Sequence, residues 1–174
     1  IRSAKLLNHI SRAKEFGINT ASAQWDFAEV MERVQKIVND IEPHDSVERY
    51  TGLGVDCVQG TAKILTPWEV EITNEDGSRR TLTTKNIVIA AGARPFVPPI
   101  PGLAECNPLT SDNIWNIRKL PKRLVVLGGG PIGSELTQCF ARFGAKVTQV
   151  EMMPRIMIRE DVEVSKMVEA KFRA

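Results

Sequence analysis

RLVVLGGGPIGSEL, residues 123–136, is the stretch that decides the fold. Its apolar run at 124–127 predicts a buried strand, and the glycines that follow predict a tight turn. Apolar residues then recur at helical spacing until Gly144, and they are Ile132, Leu136, Cys139, Phe140 and Phe143. A second short strand is predicted at 147–150, just before Glu151. This order of elements indicates a βαβ unit.

The glycine spacing in this turn predicts a dinucleotide-binding site. Gly128 permits the tight turn, Gly130 lets the backbone approach a pyrophosphate, and Gly133 lets the helix pack closely on the strand. The pyrophosphate would face the N-terminus of the helix, near Pro131. Glu151 stands close to the spacing of about 20 residues expected for the acid that binds the adenosine ribose. A glycine turn with a purely structural role is the alternative interpretation.

The charge near the end of the second strand favours NAD(H) over NADP(H). A carboxylate at Glu151 would repel the 2′-phosphate of NADP(H). Arg155 and Arg159 follow closely and weaken this preference, because an arginine in this region can accommodate the extra phosphate. A solvated basic face is the alternative interpretation of the two arginines.

Composition restricts the class of protein. The 174 residues are 43% hydrophobic and 25% charged, which is typical of a folded globular protein. A net charge of +2 without a polybasic run gives no indication of nucleic-acid binding. No apolar run approaches the ~20 residues of a membrane span, so we predict a cytoplasmic protein with no membrane segment. The chain opens and stops inside predicted helices, and we therefore expect a piece of a longer protein.

The cysteine spacing predicts neither a redox pair nor a metal site. Cys57, Cys106 and Cys139 are too far apart in sequence for a CxxC motif or a zinc site. Buried, reduced thiols are the expectation for all three.

The remaining elements are predicted from periodicity, capping residues and prolines. One helix should end at Phe16, a second should run from a cap at Asp26 to Ile41, and a short one should span 46–51. Strands are predicted at 55–60 and 62–65, and a hairpin is predicted at 69–73 and 80–84. The run 86–95 is predicted to be a buried strand that ends in small residues. The proline-rich loop at 96–102 should link two domains.

Four segments together carry a family resemblance. IVIAAGARPFVPPIPGL (87–103), TSDNIW (110–115), RLVVLGGGPIGSEL and VTQVEMMPRIM (147–157) occur in this order. The chain resembles the FAD-dependent pyridine nucleotide-disulfide oxidoreductases, the family of dihydrolipoamide dehydrogenase and mercuric reductase. The resemblance implies an α/β fold, with residues 1–119 as part of the FAD-binding domain and 120–174 as the start of a Rossmann-like NAD(P)-binding domain.

The resemblance also implies roles for residues around the nicotinamide cofactor. Gly128, Gly130, Gly133 and Glu151 match the NAD site of the family, with further backbone contacts at Gly129, Pro131 and Ile132. Glu135 matches a glutamate that pairs with a lysine beside the flavin, which makes it the candidate catalytic residue. Its alternative interpretation is an acid favoured by the helix dipole.

Residues of the flavin half are implied in the same way. Ala62 matches a backbone contact to the flavin adenine, and Ala91, Gly92 and Arg94 match the segment that passes the flavin. Two positions depart from the family: Ala91 stands where threonine is usual, and Pro131 stands where many relatives carry an aromatic residue that covers the flavin.

The implied reaction is hydride transfer from NADH to FAD, then electron transfer through a cysteine pair to a disulfide or a related small-molecule acceptor. The family's redox CxxxxC pair and its dimerisation domain lie outside this sequence, so we expect a homodimeric parent and an inactive fragment that retains little FAD. Two alternatives remain. One is a non-catalytic nucleotide-binding module, and the other is a flavoprotein of the same fold that reduces oxygen, a ferredoxin or a quinone without a disulfide.

Overall fold

The computed structural model describes residues 1–173. In chain order its helices and strands are α1 (Arg2–Ser11), α2 (Phe27–Ile41), α3 (Val47–Gly52), β1 (Thr61–Thr66), β2 (Glu69–Thr73), β3 (Arg79–Thr83), β4 (Arg123–Leu127), α4 (Pro131–Arg142), β5 (Lys146–Val150) and α5 (Val162–Arg173).

These elements form two compact units. One unit contains Ile1–Gln35 and the chain from Asn113 onward, and the other contains Lys36–Asp112. The predicted division into a partial FAD domain (1–119) and the start of an NAD(P) domain (120–174) stays a prediction.

The first unit contains the predicted βαβ unit. Strands β4 and β5 pair in parallel, from Arg123 opposite Lys146 to Leu127 opposite Val150, and α4 connects them. Leu124 is half-buried and packs against the core, whereas Leu127 is half exposed. The strand, glycine turn, helix and strand predicted from residues 123–150 are confirmed as elements. The predicted burial of the first strand is wrong, because Val125 is 63% exposed and Leu127 is 50% exposed.

The core of this unit forms around the apolar face of α4. Phe27 at the start of α2 packs against Phe143 with the ring centroids 5.7 Å apart and the rings nearly perpendicular, and against Phe140 at 6.0 Å. The remaining buried members are Ala4, Met31, Ile114, Cys139 and Ala145. Ile132, at the open N-terminal turn of α4, lies outside this core and is 62% exposed.

The second unit contains an antiparallel meander. Strand β2 pairs with β1 on one side and with β3 on the other, with Glu69 opposite Thr83 at the end of the hairpin. The turn is closed by bonds between Asn74 and Ser78. The predicted hairpin is confirmed, with its second strand one residue earlier than expected.

Two predicted strands are absent from this unit. Residues 55–60 and 86–95 have no regular structure, and Val88 and Ile89 are 88% and 76% exposed. A strand needs a neighbour to accept and donate its backbone hydrogen bonds, and no described residue pairs with either segment. The apolar composition of these runs therefore reflects local β propensity without a pairing partner.

Smaller corrections concern the first helix and the thiols. The predicted helix ending at Phe16 breaks at Arg12, so that α1 ends at Ser11 and a 3₁₀ turn follows over Ala13–Phe16. Burial of the cysteines is confirmed only for Cys139, because Cys57 is half-buried and Cys106 is exposed. Cys106 lies in a short 3₁₀ turn after the proline loop, over Ala104–Cys106. No helix within residues 1–173 is both long and apolar enough to span a membrane.

Candidate dinucleotide-binding site

The glycine turn begins where β4 ends. Gly128 has a φ of +109°, a conformation that L-residues with side chains rarely adopt, and its N–H donates to the carbonyl of Val150 at 2.8 Å. The turn is thereby tied to the end of β5. This bond places the start of the turn beside the residue that follows β5, which is Glu151.

Gly133 lies where the helix crosses the strand. A Cβ atom built on Gly133 would lie 2.6 Å from the carbonyl oxygen of Gly128 and 3.4 Å from Cγ1 of Val126. Only a residue without a side chain permits this approach. The close packing of helix on strand is therefore the structural role of Gly133, as its position in the motif predicts.

Glu151 reaches back to the glycine turn. Its Oε2 accepts a hydrogen bond from the N–H of Gly129 at 2.6 Å, and its Oε1 accepts from the N–H of Met153 at 2.7 Å. These backbone bonds, that from Met153 first and that from Gly129 second, hold the pKa of Glu151 below its ordinary value. The carboxylate is therefore ionised and fixed next to the turn.

The N-terminus of α4 is open in front of the turn. Gly130 is its N-cap and Pro131 its first residue, and a Cβ atom on Gly130 would have no atom within 4 Å. The N–H groups of Ile132 and Gly133 lie in the first turn, where a helix supplies no acceptor. The partial positive charge of this helix end and the empty space beside Gly130 fit a pyrophosphate.

Two polar side chains that the sequence analysis missed support the turn. Gln149 on β5 donates from Nε2 to the carbonyl of Gly128 at 3.0 Å and to Oγ of Ser134 at 3.2 Å. Ser134 is buried, and its Oγ donates to the carbonyl of Gly129 at 3.4 Å. A polar residue at a half-buried position of a strand, such as Gln149, was the available sequence signal.

The two arginines beyond β5 differ in their surroundings. The guanidinium of Arg155 donates to the carbonyls of Met157 at 3.0 Å, Ile158 at 2.9 Å and Glu160 at 3.0 Å. Arg159 is exposed. The donors of Arg155 are thus directed at the backbone of its own loop.

Glu135 is exposed, and it is the fifth residue of α4 and not part of its first turn. Among residues 1–173 it takes part in no salt bridge. Its catalytic role stays a prediction.

The residues predicted to contact FAD lie in the second compact unit. Ala62 is exposed on β1, opposite Ile72, whereas Ala91, Gly92 and Arg94 lie in the exposed irregular segment after residue 86. No strand pairing in the described part of the chain joins these two segments. They do not form an enclosed flavin site, and their binding role also stays a prediction.

Comparison with known proteins identifies relatives over nearly the whole chain. The sequence profile of the pyridine nucleotide-disulphide oxidoreductases matches residues 5–174. A dihydrolipoyl dehydrogenase from Chlorobaculum parvum is 35% identical over 99% of this chain and 36% of its own length. A mercuric reductase from Lysinibacillus sphaericus is 31% identical over 97% of this chain and 30% of its own length.

A solved structure has a similar fold. The HOCl-induced flavoprotein disulfide reductase RclA from Escherichia coli is 26% identical and superposes with a TM-score of 0.63, over 98% of this chain and 36% of that protein. The chain spans about a third of the length of each of these three proteins.

Proposed function

This chain belongs to the pyridine nucleotide-disulphide oxidoreductase family, and from this premise we propose that it supplies the adenosine-binding start of an NAD(H) site. We further propose that it contributes part of the FAD-binding domain of a longer flavoprotein. The proposed reaction of the full-length protein passes hydride from NADH to FAD and then electrons to a disulfide or a related small-molecule acceptor.

One observation carries the nucleotide half of this proposal: Glu151 bonds to the glycine turn. The Gly129 N–H donates to Oε2 of Glu151 at 2.6 Å, so the carboxylate is held beside the open N-terminus of α4. A ribose needs a fixed acceptor for its hydroxyl groups, and a pyrophosphate needs free backbone donors. The Glu151 carboxylate supplies the acceptor, and the first amides of α4 supply the donors beside it.

The same geometry favours NADH over NADPH. Glu151 is ionised and would repel a 2′-phosphate at the ribose. Arg155 would have to leave three backbone carbonyls before it could bind that phosphate. Arg155, one of the two arginines that weakened the preference on sequence grounds, therefore gives NADPH little support.

The chemistry itself belongs to the cofactors: nicotinamide supplies the hydride and flavin accepts it. Residues of this chain orient the nucleotide, through Glu151 at the ribose and the amides of Ile132 and Gly133 at the pyrophosphate. Support for the flavin half comes from the family alone, because Ala62, Ala91, Gly92 and Arg94 are exposed here. We also propose a cytoplasmic, homodimeric parent protein.

A titration of the full-length protein tests this proposal. We expect NADH to bleach the flavin absorption band and to bind more tightly than NADPH. Glu151→Gln should weaken NADH binding roughly 10- to 100-fold, the effect of losing a hydrogen bond to a charged group. Glu163→Gln, which makes the same change at an exposed position of α5, serves as the control. Tighter binding of NADPH, or an unchanged affinity in Glu151→Gln, would contradict the proposal.

A further inference from the structure

The loop after β5, residues 152–160, returns to the glycine turn. The N–H of Met157 donates to the carbonyl of Gly129 at 2.6 Å. A Cβ atom on Gly129 would lie 2.8 Å from Cγ2 of Ile156, so the loop is in direct contact with the turn. The peptide groups of Gly129 are thus bonded on both sides, its N–H to Glu151 and its C=O to Met157.

This contact depends on an unfavourable backbone conformation. Met157 has a φ of +53°, in the left-handed region that a residue with a side chain seldom occupies. Such a conformation persists only where the surrounding structure holds it. Other groups must therefore hold the loop in this shape.

Two side chains do so. Ser165 on α5 is buried, 1% exposed, and its Oγ donates to the carbonyl of Ile156 at 2.6 Å. Arg155 bonds the carbonyls of Met157, Ile158 and Glu160 from its two terminal nitrogens. Ser165 fixes the residue before Met157, and Arg155 fixes Met157 itself together with the residues after it.

We propose that Ser165 and Arg155 are positioning residues that hold this loop on the glycine turn, and that they thereby keep Gly129 and Glu151 in the geometry that binds the adenosine ribose. The inference rests on the proposed nucleotide site and goes beyond it. It assigns to Arg155 a role shared by NADH and NADPH, in place of a role as ligand of the 2′-phosphate. It assigns to Ser165, which lies away from the motif in sequence, a role in cofactor affinity.

Two kinds of measurement on the full-length protein test this inference. One is amide hydrogen exchange at Gly129 and Met157 without nucleotide, and the other is the dissociation constants of NADH and NADPH. In Ser165→Ala and Arg155→Met we expect about 10-fold faster exchange and about 10-fold weaker binding of both nucleotides, the effect of losing a buried hydrogen bond. Arg159→Met, the same substitution at an exposed site in the same loop, should show the amide exchange and the NADH affinity of the wild type.

Conservative variants keep the test decisive if Ser165→Ala fails to fold. Ser165→Thr retains the hydroxyl but adds a methyl group at a buried site, which costs stability. In the folded variant, amide exchange at Met157 should stay closer to the wild type than in Ser165→Ala. Arg155→Lys retains the positive charge but loses the planar fork that reaches three carbonyls, so both affinities should still fall. A phosphate ligand would behave differently, because lysine would restore NADPH binding.

The outcomes separate this inference from the proposed function. If the wild type binds neither nucleotide, the proposed function fails and the inference fails with it. If the wild type binds NADH while Ser165→Ala and Arg155→Met show the wild-type exchange rates and dissociation constants, that result overturns only the inference. Weaker binding of NADPH alone in Arg155→Met also overturns it, because that result identifies a phosphate ligand.

Discussion

Replacement of Gly133 by alanine is the sharpest test of the glycine turn. The new Cβ atom would lie 2.6 Å from the carbonyl oxygen of Gly128, whereas real Cβ contacts essentially never fall below 3.0 Å. The start of α4 must therefore retreat by about 0.4 Å or more from the strand, and the opposing atom is backbone that cannot rotate away. Overpacking costs about 1–3 kcal/mol, and we take the upper end for a backbone contact. Alanine regains about 1 kcal/mol over glycine inside a helix, which leaves a net loss of about 2 kcal/mol.

Gly130→Ala is the matched control for this prediction. Gly130 has φ −73° and ψ 179°, which alanine adopts without strain, and its Cβ atom would meet nothing within 4 Å. Alanine restricts the unfolded chain more than glycine does, but it is a poorer N-cap residue, and the two effects oppose each other. The free energy of unfolding should therefore change by less than about 1 kcal/mol. The affinity for NADH should nevertheless fall, because the methyl group takes the space where the pyrophosphate approaches.

Urea unfolding of the two variants and of the wild type measures the stability difference, and an NADH titration measures the affinity. A free energy of unfolding for Gly133→Ala within about 0.5 kcal/mol of the wild-type value would refute the packing argument, since harmless surface substitutions change stability by that much. A larger stability loss in Gly130→Ala than in Gly133→Ala would refute it as well.

Three further predictions concern a carboxylate, a buried hydroxyl and a helix cap. Because its folded pKa is lowered, Glu151 adds stability that is fully present above glutamate's ordinary value of 4.5 and is lost as the pH falls through the lowered value. Urea midpoints of the wild type and Glu151→Gln should accordingly converge in acid. Thr137→Val should raise the free energy of unfolding by about 1 kcal/mol, since the buried hydroxyl has no partner among the described residues; Thr137→Ser, which keeps the hydroxyl, should show no gain in the same urea assay. Asp26→Ala should lower the free energy of unfolding by about 1 kcal/mol, because Oδ1 of Asp26 caps α2 by accepting from the N–H of Ala28 at 2.6 Å. Asp26→Asn should lower the melting temperature much less than Asp26→Ala does.

Local features of the fold were predictable because their causes lie within a few residues. The glycine turn, the helix after it and the hairpin around Asn74 each follow from backbone preferences and short-range periodicity. The cap at Asp26 belongs to the same class, since its acceptor and donors are adjacent in sequence. Predictions that needed a distant partner were less secure. The run 86–95 is predicted from the sequence to be a buried strand, and yet it has no strand to pair with among residues 1–173.

The candidate site divides in the same way. The sequence by itself determined that a strand, a glycine turn and a helix would be followed by a second strand and an acid, because spacing and residue type suffice for these elements. Only the tertiary structure decided that Glu151 bonds to Gly129, that Arg155 bonds to its own loop, and that Ser165 on α5 bonds to the carbonyl of Ile156 in that loop. A side chain has many possible acceptors along a sequence, and packing of the chain selects which of them lies within 3 Å in the right direction.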